Sequence, residues 1–291
     1  MKKIDIAYII LHYITIEDTI KCVKSIEETN CCNSYHIIIV DNASPNKTGK
    51  ILKKMYENNP NISVILSEKN LGFANGNNLG YKYFKQNFTS KFLTVLNNDT
   101  ILLQKNFFNL LLLKCSDKNI AAIGPKIILS DNSITPLYLK MPSYISIKKR
   151  IFKIYMMILC DFLKLHFISK YLYMAKLGKT VTKNDLANYE SKNIILHGSF
   201  IIFTDLFINS FDEIFDSRTF LYCEEELLYL KLRKNNFDTL YTTDIEVIHN
   251  EDSSTNALTQ TDTNKRIFKN KCLLKSYKIL LEELRRGENI K

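Results

Sequence analysis

The first hundred residues alternate between two kinds of segment, and this constrains the fold more than any other feature. Short β-favouring apolar runs occur at Ile4–Ile10, Tyr35–Val40, Ile62–Leu66 and Phe92–Leu96. Between the first two, apolar residues 16, 20, 23 and 26 recur at helical spacing, with Thr15 placed to cap that helix. Helix is also expected over Lys50–Asn58 and beyond residue 70. A β-α-β-α-β-α-β order argues for a parallel sheet with right-handed crossovers. In such sheets ligands bind at the carboxyl ends of the strands.

The strand ends therefore carry the chemistry. Phe92–Leu96 leads into Asn97-Asn98-Asp99, a carboxylate at the ligand edge. Hard cations such as Mg²⁺ and Mn²⁺ take oxygen ligands, commonly one carboxylate together with substrate phosphates. Asp is also a favoured N-cap, so Asp99 is equally readable as the cap of a helix starting near Thr100. The second strand ends in Asp41-Asn42-Ala43-Ser44. Asn70-Leu-Gly-Phe-Ala-Asn-Gly-Asn-Asn-Leu-Gly80 places three of the chain's eight glycines within nine residues. Such a loop lets backbone approach a ligand closely, and its amides offer hydrogen bonds.

Other nucleotide-binding classes do not fit. A dinucleotide fold needs a glycine-rich turn after the first strand, and here that turn is Leu11-His12-Tyr13-Ile14. No Gly-x-x-x-x-Gly-Lys-Ser/Thr occurs. A nucleotidyltransferase would want a glycine-rich basic loop at the same place.

Further on, helix is expected over 106–114, and strand over Ala121–Ile128 and from His197 to Phe203. Glu224-Glu225-Glu226 opens an apolar-rich helix. Acids favour a helix N-terminus through the macrodipole, and one of them is also placed to act as a general base. Two short runs, Thr239–Thr242 and Glu246–Ile248, lead to His249, either a structural imidazole or a metal ligand.

The net charge is +10, unevenly placed. From Lys140 to Asp185 ten Lys/Arg stand against two Asp, a balance of +8; from Asn264 to Lys291 nine stand against three acids, a balance of +6. The remainder is about −4. Basic segments on a near-neutral body suit an anionic surface. No nucleic-acid-binding motif accompanies them, so nucleic acid is not expected as a partner. No signal peptide and no membrane span are expected. The seven cysteines, Cys31-Cys32 included, show no zinc spacing and read as reduced thiols.

Taken in order, His12-Tyr13, Val40-Asp41-Asn42-Ala43-Ser44, the Asn70–Gly80 loop, Leu96-Asn-Asn-Asp99-Thr, Gly198-Ser-Phe, Phe211-Asp-Glu-x-Phe215 and Phe220-Leu-Tyr-Cys-Glu-Glu form a series. This series resembles the family-2-type inverting GT-A glycosyltransferases, especially their bacterial rhamnosyltransferase-like branch, over roughly residues 4–275. The resemblance implies a GT-A fold: a mostly parallel central sheet flanked by helices, with a Rossmann-like nucleotide-binding half and an acceptor-binding half. The corresponding segments are 1–130 for the nucleotide sugar, 131–190 for a basic helical insert, 191–262 for the acceptor and catalytic half, and 263–291 for a basic C-terminal helix.

The implied activity is metal-dependent inverting transfer from a UDP- or dTDP-sugar to a glycan or polyprenyl-linked acceptor in cell-surface polysaccharide synthesis. The implied location is cytoplasmic, peripheral at the inner membrane face. By the same resemblance, Asp41 reads the base or ribose, backbone near Leu11 and Tyr13 lines that pocket, and Asn70, Gly76, Asn98 and Asp99 bind the donor. Asp99 and His249 hold Mn²⁺ or Mg²⁺, and Glu225 is the base, with Glu224 as its alternative. Asn97 stands where the family has a first acid, which admits a second reading: a degenerate protein that binds nucleotide sugars without transfer. The sequence leaves monomer and homodimer open.

Overall fold

Strand β1 (Ile6–His12) is buried on both faces, as a strand covered by helices on both sides must be. The computed structural model describes residues 1–29, 33–115, 117–137, 140–174, 188–250 and 262–288. Cys31-Cys32 and the end of the basic stretch, 175–187, lie outside them. Chain order continues α1 (Ile16–Thr29), β2 (Tyr35–Asp41), α2 (Thr48–Met55), β3 (Ile62–Leu66), α3 (Gly72–Asn87) and β4 (Phe92–Asn97). Next come β5 (Thr100–Leu102), α4 (Phe107–Lys114), β6 (Ile120–Leu129), α5 (Tyr144–Phe162) and α6 (His166–Met174). The last part holds β7 (Phe200–Thr204), α7 (Asp205–Ser210), α8 (Glu224–Lys234), β8 (Asp238–His249) and α9 (Asp262–Glu288). The expected alternation of the first hundred residues is present, although α2 is displaced toward the N-terminus, ending at Met55 rather than Asn58.

The sheet runs β3-β2-β1-β4-β7-β6-β8-β5, with Ser191–Lys192 paired to β8. Strands β1 to β4 are parallel, and their register aligns His12 with Asp41 and Leu11 with Asn97. Three neighbouring strands thus end together. Strand β7 enters antiparallel between β4 and β6, pairing Phe200 with Leu96. Segments 1–130 and 191–262 therefore share one sheet.

Two corrections arise at its far edge. Thr100 begins a strand, not a helix, because β5 pairs with β8 and sets Thr100 opposite His249. The two runs expected before His249 are one strand, β8, interrupted by an irregularity between Thr242 and Glu246. Only Asn98 and Asp99 separate β4 from β5, a reach of about 11 Å at most. In the sheet four ladder steps separate them, about 19 Å if flat. The sheet must therefore curl, and the 98–99 link crosses the mouth of the curl.

Helices cover both faces. Ile6, Tyr8 and Ile10 of β1 pack with Cys22, Val23 and Ile26 of α1, Leu52 of α2, and Phe107 and Leu111 of α4. Ala7 and Ile9 face Ala74, Tyr81 and Phe84 of α3, with Phe207 of α7 and Leu228 of α8. A third cluster, Ile147, Cys223, Leu227, Ile279 and Leu280, fastens α5 and α9 to α8.

Candidate active site

The nucleotide end of the sheet is built from buried polar side chains. His12 is fully buried, with Nδ1 2.7 Å from Thr19 Oγ1 and Nε2 2.9 Å from Thr48 Oγ1. Burial lowers its pKa, opposed by Asp41, and both ring nitrogens are occupied by threonine hydroxyls. Asp41 is buried beside it, and its Oδ1 accepts the Ser44 N–H at 3.2 Å. The backbone at 11–14 is pinned: Ile14 N–H donates to Ser44 Oγ at 2.9 Å, and Asn46 donates to the Ile14 carbonyl at 2.8 Å.

The glycine-rich loop is latched to the same edge. Asn42 Oδ1 accepts the Leu71 N–H at 2.7 Å, and its Nδ2 donates to Asn70 Oδ1 and the Gly72 carbonyl, each at 3.1 Å. Gly72 has φ +76°, and a Cβ there would lie 2.2 Å from the Phe220 carbonyl oxygen. Gly76 works differently: a Cβ would meet Leu11 Cδ1 at 2.5 Å, so this glycine lets α3 close on β1. The structure gives Gly76 a packing contact.

At the acidic turn, Asp99 and His249 are 5% and 6% exposed, and His249 Nε2 lies 3.2 Å from Asp99 Oδ1. Asn97 Nδ2 is 3.4 Å from the same Nε2. Asn98 donates to the Thr15 carbonyl, Thr15 Oγ1 (2.8 Å) and Thr19 Oγ1 (3.0 Å). Its amide fastens the turn to α1, a role invisible without the contact.

Facing the turn is a cavity of about 610 Å³ lined by Asn97, His197, Gly198 and Glu224–Glu226, with Ser146 and Arg150 of α5 on another side. Tyr222 and Cys223, at φ 74° and 65°, turn the chain into α8 through two left-handed residues. That turn delivers the three glutamates. Glu225 Oε1 accepts the Gly198 backbone N–H. Burial raises Glu225 to about 7, against the lowering effect of that hydrogen bond. Burial likewise raises Glu224 to about 8 and Glu226 to about 7, with neighbouring glutamate charge adding to both. A carboxylate poised near neutrality is suited to proton transfer.

Gly198 and Ser199 join the two sides, because Asn97 N–H donates to the Ser199 carbonyl at 2.8 Å. The His197 and His249 rings meet edge to face, 5.9 Å between centroids. His197 and Arg150 received no role from the sequence. The glycine next to His197 marked a strand start, but the 27-residue separation of Gly198 from Glu225 hid their pairing.

Among the described residues, no three His, Cys, Asp or Glu side chains gather to hold a metal ion. Asp99 and His249 offer one carboxylate and one imidazole. That donor set suits a divalent cation completing its shell with ligand phosphates.

A curled, mostly parallel sheet with an acidic turn at its carboxyl edge is the GT-A class of glycosyltransferase fold. The Glycosyl transferase family 2 profile matches residues 9–172, and the chain belongs to that family. No curated protein matches the sequence. Among solved structures, the chain is similar to S. aureus TarS 1-349 (TM-score 0.50, 14% identity, 84% of this chain and 60% of that one). The same S. aureus fragment in complex with UDP gives TM-score 0.50 and 13% identity over the same shares, 84% and 60%. The mannosyltransferase PcManGT from Pyrobaculum calidifontis, in complex with GDP-Man and Mn²⁺, gives TM-score 0.54 and 10% identity over 98% and 74%. The chain spans 60% of the length of the TarS fragment, and at these identities the likeness is one of fold.

Proposed function

We propose that this protein is an inverting glycosyltransferase with Glu225 as its base. It takes a sugar from a UDP- or dTDP-sugar and passes it to a hydroxyl of a glycan or lipid-linked acceptor in cell-surface polysaccharide synthesis, at the inner membrane face. The rhamnosyltransferase-like branch is the subgroup its motifs favour. One observation carries the reading: Glu225, fixed by the Gly198 N–H, lines the same cavity as Asn97, which touches His249 beside Asp99.

Asp41 and the pinned backbone at 11–14 take the nucleoside, and the Asn42-latched loop borders the diphosphate. A Mn²⁺ or Mg²⁺ held by Asp99 and His249 would supply positive charge for the departing diphosphate. The chain's own part is proton transfer and positioning. Glu225 Oε1 is engaged by Gly198, which leaves Oε2 for the acceptor hydroxyl. As the acceptor oxygen bonds to the anomeric carbon, its proton passes to Oε2, and the electron pair of the breaking sugar–phosphate bond leaves with the diphosphate. One displacement from the opposite face inverts configuration. The UDP and GDP-Man complexes of the structural neighbours support a nucleotide-sugar donor.

The test is a thermal-shift panel of UDP-, dTDP- and GDP-sugars with and without Mn²⁺, followed by product analysis. Bound donor stabilises by mass action, so the correct nucleotide raises Tm. No shift with any nucleotide sugar overturns the reading; a shift without transfer to any acceptor favours the degenerate binder that Asn97 admits.

A further inference from the structure

We propose that the α5–α6 hairpin is a membrane-docking element that lays its outer face on an anionic bilayer. The inference rests on the membrane-borne acceptor of the reading above and names the surface that would meet the lipid.

Helix α5 has two apolar stripes. Its inward stripe, with Ile147, Ile154 and Met157, packs on the protein. Its outward stripe repeats with the same helical spacing and is exposed, with Lys278 of α9 over the Tyr155 ring. Phe152, Tyr155, Leu159 and Phe162 of α5, with Phe167 and Tyr171 of α6, are all large and exposed, Phe162 and Phe167 by more than four-fifths. Monomeric surfaces rarely leave a run of large apolar side chains like this open to water. No helix among the described residues is long and apolar enough to cross a membrane, so the face is one for lying on a bilayer.

Charge identifies the occupant. Residues 144–174 contain six Lys/Arg and a single acid, Asp161. Asp161 is turned inward, its Oδ1 2.7 Å from Arg266 of α9 and 3.2 Å from His166 Nδ1. It locks the hairpin to the body and leaves no negative charge on the outer face. Lys148, Lys149, Lys164 and Lys170 are all exposed there. Aromatic and aliphatic groups flanked only by lysines match acyl chains beneath anionic headgroups. A two-fold contact with a second copy would instead bring this uniformly basic face against itself.

The hairpin also reaches the cleft. Ser146 and Arg150 in its first two turns line the cavity wall, while its other end is the bare tip Phe162–Phe167. Docking along α5 would set the cavity mouth at the surface where a lipid-linked acceptor is presented.

The test is co-flotation of the whole protein with phosphatidylglycerol-containing and pure phosphatidylcholine vesicles, at low and raised salt, with solution mass measured in parallel. Expected is binding to the anionic vesicles alone, weakened by salt. The double variant Phe162→Ser/Phe167→Ser should lose more than about tenfold in vesicle affinity, with Tm and nucleotide binding unchanged. Lys148→Glu/Lys149→Glu, which keeps the apolar face, should lose binding to anionic vesicles as well. No anionic-vesicle binding, or binding that both variants retain, overturns the proposal. So does a dimeric wild type made monomeric by the Phe variant without lipid binding. Vesicle binding by a protein that transfers no sugar would leave the docking element standing and remove the enzymatic reading instead.

Discussion

The Gly198 backbone N–H donates to Glu225 Oε1, fixing one oxygen of a carboxylate that lines the cavity. Glu225→Gln keeps an acceptor for that bond and removes the carboxylate proposed as the base. Transfer should fall by about 10²–10⁴-fold, with donor affinity by calorimetry within a factor of two or so of wild type. Glu224→Gln should keep measurable turnover; if it instead abolishes transfer while Glu225→Gln is active, the base is Glu224.

The pH dependence of transfer follows from the same residue. Burial holds Glu225 near 7, and only its ionised form accepts a proton. Under subsaturating substrate, kcat/KM should rise with pH through about 7 and then level. Glu225→Gln should flatten the residual profile.

Burial of Glu224 carries a stability signature of opposite sense. Its folded-state pKa is raised to about 8, above an unfolded carboxyl near 4.3, so the native state holds the extra proton between these values. That contribution is present below the lower value and is lost as pH rises through the upper one. Glu224→Gln should therefore raise Tm at about pH 9, by up to about 5 kcal/mol of stability, and much less at about pH 5. Thermal denaturation at the two pH values measures the difference.

The proposed cation ligands Asp99 and His249 stand or fall together. Asp99→Ala should abolish the Mn²⁺-dependent part of nucleotide binding, and His249→Ala should weaken it. Chelation of wild type should reproduce the Asp99→Ala result. Nucleotide titrations with and without Mn²⁺ that match wild type in both variants would contradict the pair.

Gly72→Ala tests the loop latch. The substitution meets both a left-handed φ and the Phe220 carbonyl 2.2 Å away, and should destabilise by about 2 kcal/mol or more. Because Asn42 and Asn70 hold this turn, donor affinity should fall with it. Urea unfolding and nucleotide titration give the two readouts.

The nucleotide half was legible because each element buries its own local pattern: Ile62–Leu66 is a strand in sequence and structure alike. The rest depended on long-range pairing. Thr100 reads as a helix start until His249 is set opposite it, and β8 reads as two strands because its irregularity at Thr242–Glu246 breaks the run. The motif at Asn97–Asp99 located the acidic turn, but the bonds from the Asn98 amide to Thr15 and Thr19, which tie that turn to α1, join residues about eighty positions apart and could not be read from it. Glu225 could be chosen among three acids only by resemblance. The Gly198 hydrogen bond that sets it apart leaves no periodic trace.

Strand β7 lies between β4 and β6, although both precede it in the chain by more than seventy residues. On the ribosome, β6 would emerge beside a gap that nothing yet made can fill. The nascent chain would therefore hold an incomplete sheet, with an open edge on β4, until residue 204 clears the exit tunnel, which makes this interval the one in which a chaperone has most to shield.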